Sequence, residues 1–332
     1  MKILAVLAGR KNGNGEILTK EALMRAEELG AQVKMINLHD YNIMPCTGCE
    51  SCTVKFTQQH CAPECVNMHK DDVNMHKDDM ELIMQEWLDS DGVIVTVPAY
   101  SFMPAGIYRI FTDRHLSYEP NFHKQVGNAA YFKHRVGGII TNGGSTRSWM
   151  SMVMESVTVT LLTQDIKVVD QMMANRAPRP GQILLDDAAL QRARQLGENV
   201  VKGIQNYETV EYLGDPNLGW CPVCHSNLLS LGQPHWNSSG YPIECPVCHC
   251  GGDLEKDENG RWKFVIQANG REKSMTDGSG AKDHFFEIGE TMGKYYANQG
   301  VIRERRKKYS AFRPAGIPRR GGQVPVEVAE EA

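Results

Sequence analysis

Short apolar runs alternate with amphipathic stretches through the first 210 residues of this chain, and few folds accept that alternation. Residues 3–7, 33–38, 92–97, 136–141 and 166–169 are runs of strand length. After Ile17, the residues Leu18, Ala22, Ala26 and Leu29 recur at helical spacing, and residues 79–88, 105–113, 149–162 and 187–204 show helical patterns too. Five strand–helix units in series predict a parallel sheet covered by helices on both faces, because each crossover helix must bury its apolar stripe against the sheet. Such sheets bind ligands at the carboxyl ends of their strands, near the point where strand order reverses. The loops expected to carry function are therefore 8–16, 98–104 and 141–147.

The rest of the composition narrows the compartment and the partners. The N-terminus MKILAVLAG lacks the pattern of a signal peptide, and no window holds the roughly 20 apolar residues of a membrane span. A cytoplasmic, reducing location with no membrane partner is expected. In such a compartment clustered cysteines serve as metal ligands or redox groups more often than as disulfides. A formal net charge of −4 argues against a large nucleic-acid surface.

The cysteines fall in two sets. PCTGCESC, residues 45–52, places Cys46, Cys49 and Cys52 at intervals of three, and Cys61 and Cys65 follow. This CxxCxxC spacing lets one loop bring three thiolates to an iron–sulfur cluster, with a fourth ligand from further along the chain. Zinc fits less well because it more usually takes two CxxC pairs, and disulfides would leave an odd thiol. Unligated or catalytic thiols remain the bland alternative. Residues 66–79 are a tandem repeat of VNMHKDD whose His69 and His76 share a helical face, and a solvated charged face explains them without a metal. Near residues 207–218 the helical pattern ends, and Cys221, Cys224, Cys245 and Cys248 form two CPVC knuckles. Each knuckle turns two thiolates toward one point, so the pair completes a tetrahedron for zinc or for rubredoxin-type iron. The strand-like DLEKDENGRWKFVIQ beyond them suits a zinc ribbon, with Cys250, His225, His235 and His249 left spare. Ribbons often bind nucleic acid, but acidic DLEKDENG stands beside the second knuckle, and the basic run 303–320 reads as a solvated extension.

The first loop, AGRKNGNG, is a Gly/Asn-rich turn after a strand. Such a turn is a plain connector as often as it is a cradle. Its place before a helix favours a phosphate, since glycines let amides approach an anion and Arg10 adds charge. Taken in order, RKNGN, NIMPCTGCESC, KDDM, VPAY and FTDR resemble the NADPH-dependent FMN reductase family, and more narrowly its iron–sulfur flavoprotein branch, over about residues 1–205. The resemblance implies a flavodoxin-like fold of five parallel strands. Arg10, Asn12, Gly13 and Asn14 would hold the FMN phosphate. Pro98, Ala99, Tyr100 and Phe102 would line the isoalloxazine, and Asn142, Gly143 and Gly144 would close over it. A 4Fe–4S cluster would sit on Cys46, Cys49, Cys52 and Cys65, with Cys61 as the alternative fourth ligand. Relatives carry hydroxyl residues where this chain has Ala8 and Gly15, which leaves backbone amides or Thr19 to serve the phosphate.

The resulting expectation is an α/β protein. Residues 1–207 form a flavodoxin-like FMN domain with a cysteine loop at 45–80, residues 208–290 a small β-rich metal ribbon, and residues 291–332 a helical end with a basic tail. The implied activity is an FMN oxidoreductase, linked to NAD(P)H or ferredoxin, that reduces a small organic substrate. The alternatives are an electron carrier serving another redox protein and a ribbon-mediated binding protein with a vestigial flavin domain. A homodimer or tetramer is expected from the same resemblance. Met150, Met152, Met154, Met172 and Met173 read as core, Trp149 either as core or as a flavin shield, and Arg109, Arg114 and His115 as candidates for a substrate or subunit contact.

Overall fold

The computed structural model describes residues 1–48, 50, 52, 78–127, 133–231 and 240–312. Residues Met1–Phe286 form one compact unit and Glu287–Ala332 a second.

In the first unit, β1 (Lys2–Leu7), β2 (Gln32–Asn37), β3 (Gly92–Tyr100), β5 (Arg135–Asn142) and β6 (Ile166–Ala174) pair in parallel in the order β2-β1-β3-β5-β6. The short β4 (Met103–Pro104) folds back antiparallel on β3. Counted along the parallel strands, this is the flavodoxin-like order 2-1-3-4-5 that the resemblance implies, and its switch point lies between β1 and β3. The central strands are apolar because both their faces are covered, and Val93 to Val95 and Ile139 to Ile140 are fully buried.

One face carries α1 (Asn14–Glu28) and α6 (Asp187–Gln205), which bury Leu18, Ala22, Leu196 and Val200 against Ile3, Ala5 and Ile140. These helices pack closely because residue 197 is glycine. A Cβ there would stand 2.0 Å from the Ala22 carbonyl oxygen. The other face carries α2 (Met80–Asp89), α3 (Gly106–Thr112) and α5 (Val153–Thr163), with Trp87, Phe111 and Val157 in the core; α4 (Pro120–Gln125) follows α3. Met150, Met154 and Met172 are buried as core side chains, whereas Met152 is exposed.

Beyond α6 the chain builds an antiparallel sheet of β7 (Ser230–Leu231), β8 (Ile243–Glu244), β9 (Gly251–Lys256) and β10 (Trp262–Ile266). Its small core joins Cys221, Cys224, Cys245, Cys248, Val247 and Phe264 to Leu162 of α5, with Val159 and Val168 packed against it. The ribbon thus buries apolar surface against the sheet domain. α7 (Gly280–Ala297) begins in the first unit, and α8 (Gln299–Ala311), in the second, buries none of its residues. Among the described residues no helix is long and apolar enough to cross a membrane.

Candidate functional site

The carboxyl ends of β1, β3 and β5 meet in a cleft. Its walls include Arg10, Gly13, Asn14, Pro98, Ala99, Tyr100, Asn142, Gly143 and Gly144, so the structure brings nine of the eleven expected flavin-loop residues together. Asn12 lies on the exposed outer side of the first loop, with left-handed backbone (φ 53°). Phe102, two residues beyond the wall residue Tyr100, stands 42% exposed in the turn between β3 and β4.

α1 starts at Asn14 with Gly13 at the cap position and no side-chain cap. Its first-turn amides therefore lack both intrahelical acceptors and a capping oxygen, which suits an anion. The Asn12 amide donates to Glu16 Oε2 at 2.8 Å, and the hydrogen bond from Lys20 holds the Glu16 carboxyl below its ordinary range. Asn14 has a scaffolding role. Its Nδ2 donates to the carbonyls of Ala177 (2.6 Å) and Arg179 (2.9 Å), and its Oδ1 accepts from the Ile183 amide (3.2 Å). Arg10 reaches the same segment through the Pro178 carbonyl at 3.0 Å.

That segment is the part of the site that the sequence did not reveal. Ala177 and Pro178 complete the cleft wall, and the Ala177 amide donates to the Gly143 carbonyl. The available signal was topological, since β6 is parallel to β5 and its following loop must emerge at the same edge. The apolar run of β6 stops at residue 169, five residues before the strand itself ends.

One observation fits FMN directly. Asn142 Oδ1 is buried without a hydrogen-bond partner, an arrangement that a polar ligand resolves. Gly15 explains one departure from the family pattern, because a Cβ there would lie 2.8 Å from Asn142 Oδ1 and 3.0 Å from Thr96 Cγ2. Thr19 does not replace the missing hydroxyls. It is fully buried, donates to the Gly15 carbonyl and shares a 2.6 Å hydrogen bond with Thr96.

Of the side chains after the third strand, Arg109 pairs with Asp113, and Arg114 and His115 turn inward. Arg114 forms a 2.6 Å ion pair with Asp78, both nearly buried, and donates to the Met44 carbonyl. Asp78 also accepts from the Met44 amide, and Asp79 from the Asn42 amide. This clamp ties the two ends of the cysteine loop to α3 and the turn after it. His115 belongs to the core, packed on Phe111 and Trp87 with both ring nitrogens unpartnered, and burial pushes its pKa down to about 3.

Cys46 is exposed and accepts the Gly48 amide at 3.4 Å, and Cys52 is half-buried. Cys49, Cys61, Cys65, His69 and His76 lie outside the described residues, as does His235.

The two knuckles do converge. The sulfurs of Cys221, Cys224, Cys245 and Cys248 lie within 4.8 Å of one another, all buried, with Cys221 to Cys248 and Cys224 to Cys245 each 3.5 Å apart. These separations suit the edges of a thiolate tetrahedron around one metal ion. The knuckles are related turn for turn: the amides of Cys221 and Cys245 donate to the carbonyls of Ser226 and Cys250, and those of His225 and His249 to the carbonyls of Cys221 and Cys245. His225 and His249 take left-handed backbone (φ 57° and 62°) that closes each turn. Hydrogen bonds from the neighbouring thiols favour the Cys245 thiolate, while the contact with Cys221 pushes Cys224 and Cys248 up, and a bound dication would supply the charge that such crowded sulfurs share.

A family model described as NADPH-dependent FMN reductase matches residues 1–177. A flavone synthase of Aspergillus candidus is 27% identical over 175 residues, 52% of this chain and 51% of the relative, so the chain spans about half of that protein's length. An iron-sulfur flavoprotein of Methanocaldococcus jannaschii is 24% identical over 213 residues, covering 62% of this chain and 98% of the relative. A solved flavone reductase superposes with a TM-score of 0.74 at 26% identity, covering 96% of this chain and 100% of the other.

Proposed function

The chain belongs to the NADPH-dependent FMN reductase family, and on that footing we propose that it is an FMN-dependent oxidoreductase that reduces a small organic acceptor at the expense of NAD(P)H or a ferredoxin-type donor. The observation carrying this reading is the cleft at the β1/β3 switch point, with its uncapped helix start and the unpartnered Asn142 Oδ1. Arg10 and the first-turn amides would hold the phosphate, while Pro98, Ala99 and Tyr100 and the neighbouring loop of Asn142 to Gly144 would line the ring site. Bound FMN would supply reversible one- and two-electron redox chemistry. Asn14 fixes the 177–183 wall, Gly15 gives the Asn142 side chain its room, and Pro98 shapes the wall without an amide of its own.

The likeness to a flavone reductase over nearly the whole chain supports a reductase rather than a carrier or a vestigial flavin domain. A 4Fe–4S cluster on Cys46, Cys49, Cys52 and Cys65 or Cys61 belongs to the same proposal, supported by the spacing and by relatives named as iron-sulfur flavoproteins. Zinc is proposed for the ribbon, with iron as the alternative, and a homodimer or tetramer for the assembly. Protein purified without oxygen should contain or take up close to one FMN per chain, and Arg10→Ala should weaken that uptake. An intact apoprotein that fails to bind FMN at micromolar concentration refutes the proposal.

A further inference from the structure

We infer, resting on the flavin cleft proposed above, that Phe102 and Trp149 form an aromatic gate across its mouth that selects flat, conjugated ring systems as substrates. β3 runs out to Tyr100 and returns as β4 from Met103, and the pairing of Tyr100 with Met103 leaves Ser101 and Phe102 as a two-residue turn. Both have positive φ, 50° and 72°. Tight hairpin turns of this kind ordinarily use Asn-Gly or Asp-Gly, and a bulky aromatic in left-handed backbone is strained. Packing does not require Phe102 there, since it is 42% exposed and absent from the core. Strain retained at the rim of a ligand cleft points to function.

The ring meets Trp149, itself 58% exposed, with centroids 5.1 Å apart and planes at 31°. Trp149 belongs to the turn Arg147–Met150 in the loop after β5, so this contact bridges the β3 and β5 sides of the cleft. Met150 pins that turn, being buried so close to Gly143 that a Cβ there would stand 2.6 Å from its Sδ. Tyr100 and Met103, each about half exposed, extend the same uncharged surface down to the cleft wall. Because the two rings already pack on each other, a flat aromatic ligand would stack on the exposed outer surface of the pair and remain continuous with the wall at Pro98 to Tyr100. A saturated or strongly polar ligand gains little from such a surface.

The test uses the full-length, FMN-loaded protein, with flavin content measured first and ligand binding followed by perturbation of the flavin spectrum. Flavone serves as the flat probe and cyclohex-2-enone as the small non-aromatic one. Phe102→Ala, Phe102→Gly and Trp149→Ala should each raise the flavone dissociation constant about tenfold and change that for cyclohexenone less than twofold. Melting of the apoprotein and FMN stoichiometry show that the variants remain folded and loaded. Unchanged flavone binding in all three variants overturns the gate, as do equal losses for both probes or a wild-type protein that ignores flavone. A Trp149→Ala protein that dissociates into smaller oligomers while binding flavone normally assigns the pair to a contact between copies, and overturns it as well. Failure to load FMN refutes the underlying functional reading instead, and is seen before any probe is added.

Discussion

At the scale of single residues, backbone strain and close approach separate side chains that matter for the site from those that only look as if they do. Phe102→Gly and Phe102→Ala both remove the ring contact with Trp149, but alanine still bears the left-handed backbone at φ 72°. The glycine variant should therefore be the more stable of the two by roughly 1 kcal/mol, read as denaturant midpoints of the apoprotein. Equal midpoints would show that the turn relaxes and stores no strain. Gly15→Ala makes a complementary case, because its Cβ would meet Asn142 Oδ1 at 2.8 Å. Displacing that amide should weaken FMN about tenfold by equilibrium dialysis. The sequence made Gly15 look like a missing hydroxyl, whereas the structure gives it a steric role that appears only once β5 lies beside α1. The buried positions of Arg114 and His115 were equally hidden, because nothing local distinguishes a cation facing solvent from one facing Asp78 or a ring facing Trp87.

At the scale of elements, most of the fold was legible, and where it was not the cause was a buried polar residue. The apolar runs and helical spacings locate all five parallel strands and both helices of the α1/α6 layer. β6 extends past its apolar run, which breaks at Asp170 and Gln171, residues buried in the strand all the same. Asp170 is satisfied by Arg192 and by Asn199 Nδ2 at 2.8 Å, and Gln171 by Thr158 at 2.7 Å, partners distant in sequence. The cysteine-loop clamp follows similar logic. Removing Arg114 leaves Asp78 buried and charged, so Arg114→Met should destabilise the protein by about 3–5 kcal/mol in urea unfolding. A loss below about 1 kcal/mol would mean that Asp78 finds water instead. The ribbon obeys a different constraint, because its core consists largely of the ligand cysteines. Cys221→Ser or a strong chelator should release the metal and raise amide exchange across residues 218–275, and also at residues 159–168, which share that core. Exchange confined to the ribbon would show that it stands alone. FMN uptake should survive, since Gly143 and Ala177 hold the cleft wall through bonds of their own.

For the whole molecule, two kinds of buried group set opposite limits on stability as pH changes. Glu119, buried before α4, has its carboxyl pushed up to about 8 by desolvation, and Glu155 in α5 is shifted in the same direction for the same first cause. A raised carboxyl binds its proton more tightly in the folded state, so its contribution is complete below the unfolded value near 4.5 and is lost as pH rises toward 8. His115 is the reverse case. Its folded pKa of about 3 lies below the unfolded 6.5, so its contribution is present above 6.5 and is lost as pH falls toward 3. Between pH 8 and 6.5 the glutamate acts without the histidine, and stability should climb as pH falls, by about 1.4 kcal/mol per unit for one proton. From 6.5 to 4.5 the two slopes oppose each other and the curve should flatten. Below 4.5 only the loss from His115 remains, joined by surface carboxylates such as Asp89 and Glu28 that are held low by Lys2 and by Arg194 and Arg25. Denaturant midpoints taken across pH 4 to 8 should therefore show a plateau centred near 5.5. Glu119→Gln should remove most of the decline between 6.5 and 8 while leaving the acid limb in place. A variant whose alkaline limb matches the wild type would show that Glu119 ionises freely in the folded protein and that the decline has another source.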